Sequence, residues 1–247
     1  MSDEKSTKTG SKKQEQYKAR QTRAKKAQRK KQLTNVTFII LGSALLVFVL
    51  LWPSIKPVTG LTTPIARAHP MADFNAVGDP NAPLVIEEYS DYLCVHCQGF
   101  FDENEQQLFD EFVATGKVYF VYNSFGYRTT DSGRAAEATY CAGDQDNFWE
   151  MHDYIFTNYD FAQTNGFTAK VLAFMAEDLG MDMDEFNACV ESEKYKDTVT
   201  QDQVDGINAG IQGTPSFLFN GVLAIPGNDS YANFQSAINT ALAELGK

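Results

Sequence analysis

Leu84-Val85-Ile86-Glu87-Glu88-Tyr89-Ser90-Asp91-Tyr92-Leu93-Cys94-Val95-His96-Cys97 is the stretch on which the fold turns. Its opening apolar run reads as a buried strand. The two cysteines follow, with two residues between them. Beyond them Phe101, Leu108 and Phe112 fall seven and four apart, the spacing of one helix face, which predicts a helix from about Cys97 to Val113. Val118-Tyr119-Phe120-Val121-Tyr122 then reads as a second strand, and strand, helix, strand at this spacing makes a βαβ unit.

The junction gives Cys94 its chemistry. At a helix N-terminus, unpaired N–H groups and the helix dipole stabilise a thiolate. His96 adds a donor and, when protonated, a charge close to that sulfur. A stabilised thiolate is a good leaving group, so the pair predicts a disulfide that is easily attacked and given away. Cys97, one turn further in, is expected to be less exposed and to act as the resolving thiol. Half a zinc site is the competing reading. No second pair of this spacing and no paired histidine completes it, Cys141 and Cys189 stand alone, and no metal is expected.

Downstream, residues from about 130 to 210 read as mostly helical. Asp182-x-x-Glu185 fits a capping box, and Gly180 and Gly210 fit helix stops. Ser216-Phe217-Leu218-Phe219 and Val222-Leu223-Ala224-Ile225 flank Asn220-Gly221, a strong hairpin signal. Phe234, Ile238, Leu242 and Leu245 mark a final amphipathic helix.

Upstream, the chain changes character. Its 247 residues carry a net charge of −11, yet residues 1–35 hold twelve Lys and Arg against three acids. The rest holds nine bases against 29 acids. Val36 to Trp52 is an almost unbroken apolar run, and no charge occurs between Lys31 and Lys56. As a helix that uncharged stretch is about 36 Å long, enough to cross the ~30 Å hydrocarbon core. This favours a membrane anchor over a nucleic-acid arm, and the dense basic cluster before it places the N-terminus in the cytoplasm and the body outside. Ala66-Arg67-Ala68 has the look of a signal cleavage site but lies too far beyond the run, so the anchor is expected to stay uncleaved. The expected divisions are a basic tail at 1–35, disordered or loosely helical, a transmembrane anchor at 36–52, an extended linker at 53–78 and a folded domain at 79–247.

Three segments in order resemble the DsbA-like proteins of the thioredoxin superfamily in bacterial envelopes. They are Asp79-Pro80-Asn81-Ala82-Pro83 leading into Glu88–Cys97, then Phe148-Trp149-Glu150-Met151-His152, then Gly213-Thr214-Pro215-Ser216-Phe217. The likeness runs from about Asp79 to the C-terminus. It implies an α/β thioredoxin fold with a helical insert, here preceded by a single transmembrane helix. It further implies a cis Pro215 facing Cys94, a Thr214 backbone that pairs with extended substrate, and Val95 at the substrate face. Glu88 matches a buried acid that assists proton transfer from the resolving cysteine. Cys141 and Cys189 match positions that can carry a structural disulfide. Val95 departs from the family's best-known member, which has proline there. His152 reads as a packing residue.

The activity implied is donation of disulfides to reduced secreted or envelope polypeptides, with reoxidation by a quinone-linked membrane partner and no cofactor beyond the redox-active pair. A reductase or isomerase of the same fold and a non-catalytic binding module are the alternatives. A redox titration separates the first, and indifference to loss of Cys94 would mark the second.

Overall fold

The computed structural model describes residues 4–126 and 129–246. It divides into two compact units, residues 1–57 and 58–247.

In the first unit, helix α1 runs from Glu4 to Ile55 without a break. The tail expected at 1–35 is therefore continuous with the apolar run, apart from its first three residues, which lie outside the described ones. Within α1, Arg20–Trp52 is long and apolar enough to cross a membrane, with a mean hydropathy of 2.3 in its most apolar window. Phe38, Ile39, Leu45 and Leu50 are each more than 60% exposed, so this apolar surface covers no protein core. The polar interruptions satisfy themselves: the hydroxyls of Thr34, Thr37 and Ser43 donate to the carbonyls of Lys30, Leu33 and Ile39. That is what hydrocarbon requires, because an unmet polar group there costs several kcal/mol (of the order ~2–7).

The second unit is built on a five-stranded sheet: β1 Ala76–Val77, β2 Leu84–Ser90, β3 Val118–Ser124, β4 Ser216–Phe219 and β5 Val222–Pro226. The order is β1-β3-β2-β4-β5. β2 and β3 are parallel, as a βαβ unit demands, and the other pairings are antiparallel. Helix α2 spans residues 95–113, with wider π turns at Phe101–Glu105 and Phe109–Val113. Phe100 and Phe109 lie buried beside the expected Phe101, Leu108 and Phe112, as the i, i+3, i+4 stripe of one helix face places them. The entry to β2 depends on Gly78 at φ +103, where an added Cβ would lie 2.6 Å from the Val118 carbonyl oxygen.

Between β3 and β4 come α3 Thr130–Gly143, α4 Phe148–Thr157, α5 Tyr159–Asn165, α6 Ala169–Asp178, α7 Met183–Glu191 and α8 Lys196–Asn208. The Asp182 carboxylate accepts the N–H groups of Asp184 and Glu185 at the start of α7. Gly180 and Gly210 follow α6 and α8 with positive φ. The β4–β5 turn places Asn220 at φ 50 and Gly221 at φ 79, the two positive values a tight hairpin needs. The final helix, α9 Tyr231–Glu244, buries Phe234, Ile238 and Leu242. Leu245, expected on the same face, lies beyond the helix end and is 44% exposed.

Cys141 on α3 and Cys189 on α7 are bonded, with a Cα–Cα separation of 5.8 Å. Closing a loop of 48 positions stabilises by about 4 kcal/mol in the chain-entropy description. The paired alanine variant is expected to lose about that much, read as a fall in the urea midpoint with a steeper slope, because the uncross-linked chain unfolds further. An unchanged midpoint would show that the bridge adds nothing.

The expected linker at 53–78 is instead largely part of the second unit. Val58 and Leu61 pack against the core. The Thr62 backbone exchanges two 2.8 Å hydrogen bonds with the Asn158 side chain. Ala76 and Val77 pair with Val121 and Phe120 as strand β1. The prolines mark an irregular path, not a loose one. A strap that satisfies its backbone on other elements has no period of its own to read.

Candidate active site

Cys94 occupies the N-cap of α2, with extended backbone angles of φ −92 and ψ 123. Its N–H donates to the Asp91 carbonyl at 2.9 Å and its own carbonyl accepts from Gln98 at 3.0 Å. The sulfur therefore hangs at the open end of the helix. The neutral thiol donates to the Thr214 carbonyl at 3.3 Å, which brings the Thr214-Pro215 loop, 120 residues away, against the helix start. The Thr214-Pro215 peptide is cis.

The Cys94 pKa falls to about 5. The largest cause is hydrogen bonding from Cys97. Burial works the other way, and the Thr214 side chain and the N–H groups of Cys97 and His96 add to the lowering. The Cys97 pKa moves well above the ordinary thiol value, chiefly through burial, then through its bond to Cys94 and the nearby charges of Cys94 and Glu88. Its sulfur accepts the Asp91 N–H at 3.4 Å. The two sulfurs scarcely differ in exposure, at 2% and 0% of their residues. They differ in which charge state the surroundings favour. Both are free thiols here.

His96 acts on the sulfur through its main chain. Its residue is exposed, and what it brings to the Cys94 sulfur is its backbone N–H. Val95 is 57% exposed beside that sulfur and offers an apolar lip. Pro215 is buried and borders a groove of about 490 Å³ shared with Gly213, Thr214, Leu223 and Pro226.

Glu88 lies on β2, level with Tyr122 of β3 and Phe217 of β4. It is 1% exposed. Burial drives its pKa well above the carboxylate range, and the charge of Glu105 pushes the same way. It is thus held as an acid within electrostatic reach of Cys97.

A second polar cluster lies deeper. His152 Nε2 is 3.0 Å from Glu105 Oε1 and its Nδ1 is 3.2 Å from the Tyr92 hydroxyl. Its ring sits among Phe101, Phe156 and Trp149, as a packing residue would, but both nitrogens are engaged. Arg67 donates to Glu105 Oε2 at 2.8 Å and to the Phe101 carbonyl at 2.7 Å. His69 stacks on Trp149 with ring centroids 5.5 Å apart, and its Nε2 lies 3.3 Å from Asp153. Burial opposes the His69 charge, but Asp153 and Glu150 outweigh it and raise the pKa to about 9. Glu105 is pulled below its ordinary range by His152 and Arg67 in spite of burial.

Sequence reasoning missed Arg67, His69, Tyr92 and Glu105 as members of this cluster, since their partners lie 38 or more positions away and leave no local pattern. Among the described residues, Glu105, His152 and Asp153 are the group compact enough for a metal ion. The Arg67 guanidinium already supplies their counter-charge, 2.8 Å from Glu105 and 3.9 Å from Asp153, so the group does not fit a cation site.

A helix-start thiolate that meets a cis-proline loop on this sheet defines a thiol–disulfide oxidoreductase of thioredoxin fold. The chain belongs to the thioredoxin family, whose model matches residues 73–240. It is similar to a probable disulfide bond formation protein D of Bacillus cereus, 28% identical over 159 residues, covering 63% of this chain and 74% of the relative. In structure it resembles alpha-DsbA1 of Wolbachia pipientis, with a TM-score of 0.63 at 23% identity, covering 71% of this chain and 94% of that one. It also resembles oxidised BdbD from Bacillus subtilis, with a TM-score of 0.63 at 20% identity, covering 74% and 100%.

Proposed function

We propose that this oxidoreductase is anchored in a bacterial cell membrane by α1, with its N-terminus cytoplasmic, and donates disulfides to reduced secreted or envelope polypeptides. The observation that carries the direction is the Cys94 pKa of about 5. A sulfur this comfortable as an anion stabilises the reduced pair and makes the oxidised pair a strong donor.

A substrate thiolate attacks Cys94 of the Cys94–Cys97 disulfide. A mixed disulfide forms on Cys94 and Cys97 leaves. Glu88 gives its proton to the departing Cys97 sulfur, which cannot stay charged in its buried place. A second substrate thiolate then displaces Cys94, and the substrate carries away the new disulfide. Thr214 offers backbone to an extended chain, Pro215 keeps an N–H donor out of that position, and Val95 supports apolar substrate side chains. The His96 and Cys97 N–H groups hold the released thiolate. Cys141–Cys189 staples the helical insert. A quinone-linked membrane partner restores the Cys94–Cys97 disulfide, and the redox pair is the only prosthetic chemistry needed. The tail at 1–35 and anchor at 36–52 keep the domain beside emerging chains.

Equilibration of the full-length protein with glutathione tests this. The Cys94–Cys97 disulfide is expected to be reduced by glutathione pools that leave ordinary structural disulfides intact. A pair more stable than glutathione's disulfide would make the protein a reductase instead. In intact reduced cells, an impermeant thiol reagent should label Cys94 as it does after lysis, and labelling that appears only after lysis would overturn the orientation.

A further inference from the structure

Glu88 is 1% exposed, so any proton it exchanges with Cys97 is replaced through the interior and not from solvent in direct contact with it. A polar seam leads away from it. Glu88 and its register partner Tyr122 lie side by side on neighbouring parallel strands. Glu88 Oε2 and the Tyr122 hydroxyl are both buried without a hydrogen-bond partner among the described residues. The Tyr122 ring stacks on Tyr92 at 5.3 Å. From the Tyr92 hydroxyl the seam runs through both His152 nitrogens to Glu105, in steps of 3.2 and 3.0 Å. Tyr92, His152 and Glu105 are each no more than 1% exposed. Beyond Glu105 the ligand atoms of Glu105, His152 and Asp153 lie within 4.8 Å of one another. Arg67 and His69 face the same carboxylates, and the side chain of Glu150, 3.9 Å from His69, is 48% exposed. Phenylalanines would fill this space without burying polar atoms. An imidazole joined on one side to a hydroxyl and on the other to a carboxylate is an arrangement that hands protons across.

The geometry points to Tyr92, His152 and Glu105 as positioning residues of a proton path between Glu88 and the Asp153–His69 edge of the domain. The inference rests on the reading of Glu88 as the acid–base partner of Cys97. The step balances over one cycle. During donation Cys97 leaves as thiolate and takes the Glu88 proton. Glu88 recovers a proton passed by the tyrosine hydroxyls. His152 replaces it from Nδ1 and takes at Nε2 a proton that the outer cluster passes across the Glu105 carboxylate, which is left ionised as before. The His152 tautomer has then switched. During reoxidation Cys97 gives up its proton as the disulfide closes, its electrons passing to the reoxidising disulfide or quinone. The same hand-over then runs outward and restores the first tautomer.

The test uses the oxidised full-length protein in lipid nanodiscs, mixed rapidly with a dithiol peptide. Infrared absorption follows the protonated carboxyl of Glu88, identified by its loss in Glu88→Gln, and fluorescence follows disulfide opening. In Tyr92→Phe and His152→Gln, recovery of the carboxyl band relative to disulfide opening is expected to slow by about tenfold or more. An unchanged ratio in Tyr92→Phe, which keeps the ring packing, overturns the path even if His152→Gln does not fold. A Glu88 band that never changes in the wild-type protein overturns instead the role of Glu88 itself, and the path with it.

Discussion

Serine at Cys94 is expected to abolish thiol–disulfide exchange, whereas serine at Cys97 leaves a protein that attacks disulfides once and stalls as a mixed disulfide. The asymmetry follows from the surroundings of the two sulfurs. At pH 7 a thiol with a pKa near 9 is about 1% thiolate, and one at about 5 is about 99%, a gain of roughly a hundredfold in reactive form. Cys94 has that gain from the Cys97 thiol, Thr214 and the N–H groups of Cys97 and His96. Cys97 is pushed the other way by burial, so it reacts only when a mixed disulfide is already placed beside it. Serine at Cys97 also removes the largest single cause of the Cys94 shift, replacing a thiol donor by a shorter hydroxyl. The trapped species should therefore still form, with a Cys94 titration that stays below the ordinary thiol value because the backbone donors remain. Mass spectrometry after incubation with a reduced or oxidised peptide substrate distinguishes the two variants. Full exchange by the Cys94→Ser protein would dispose of Cys94 as the nucleophile. A Cys97→Ser protein that forms no adduct would dispose of the assigned order of attack.

The sequence exposes this site because its central features are local. A strand signal, two cysteines with two residues between them and a helical period sit within one stretch, and their junction fixes where the sulfur meets the helix dipole. The hairpin at Asn220-Gly221 is equally local, since two positive φ angles restrict the residues allowed. Other features depend on contacts that no short window carries. Residues 58–78 contain prolines and scattered apolar side chains without a period, which reads as a tether. Val58 and Leu61 reach the core and Arg67 reaches Glu105 only because distant elements meet them. His152 illustrates the same limit within a helix. Its aromatic surroundings follow from its neighbours, but its two hydrogen-bond partners lie 47 and 60 positions away. His96 adds a contribution that its side chain does not advertise: its backbone N–H lowers the Cys94 pKa, as a residue of any type but proline at that helix position would.

The dithiol protein is expected to be more stable than the disulfide protein at neutral pH, with the difference shrinking as the solution is acidified. In the unfolded chain Cys94 titrates near the ordinary thiol value of 9, and in the folded dithiol form at about 5. A depressed pKa stabilises the folded state fully above pH 9. The contribution declines through the interval below that and disappears below about pH 5. At about 1.4 kcal/mol per pH unit, two units remain at pH 7, which sets an upper bound of about 3 kcal/mol there. Solvent at the mouth of the site screens part of it. The disulfide form has no thiol at Cys94 to titrate and lacks this term. Cross-linking Cys94 to Cys97 constrains the unfolded chain only across a very short loop, so its entropic gain is small beside that of Cys141–Cys189. Urea unfolding of the two redox forms between pH 4.5 and 8 measures the difference. Cys141–Cys189 stays oxidised in both, and titrating groups that behave alike in the two forms cancel in the difference. A gap that widens on acidification would mean the sulfur is stabilised as a thiol. The site would then favour keeping its disulfide over giving it away.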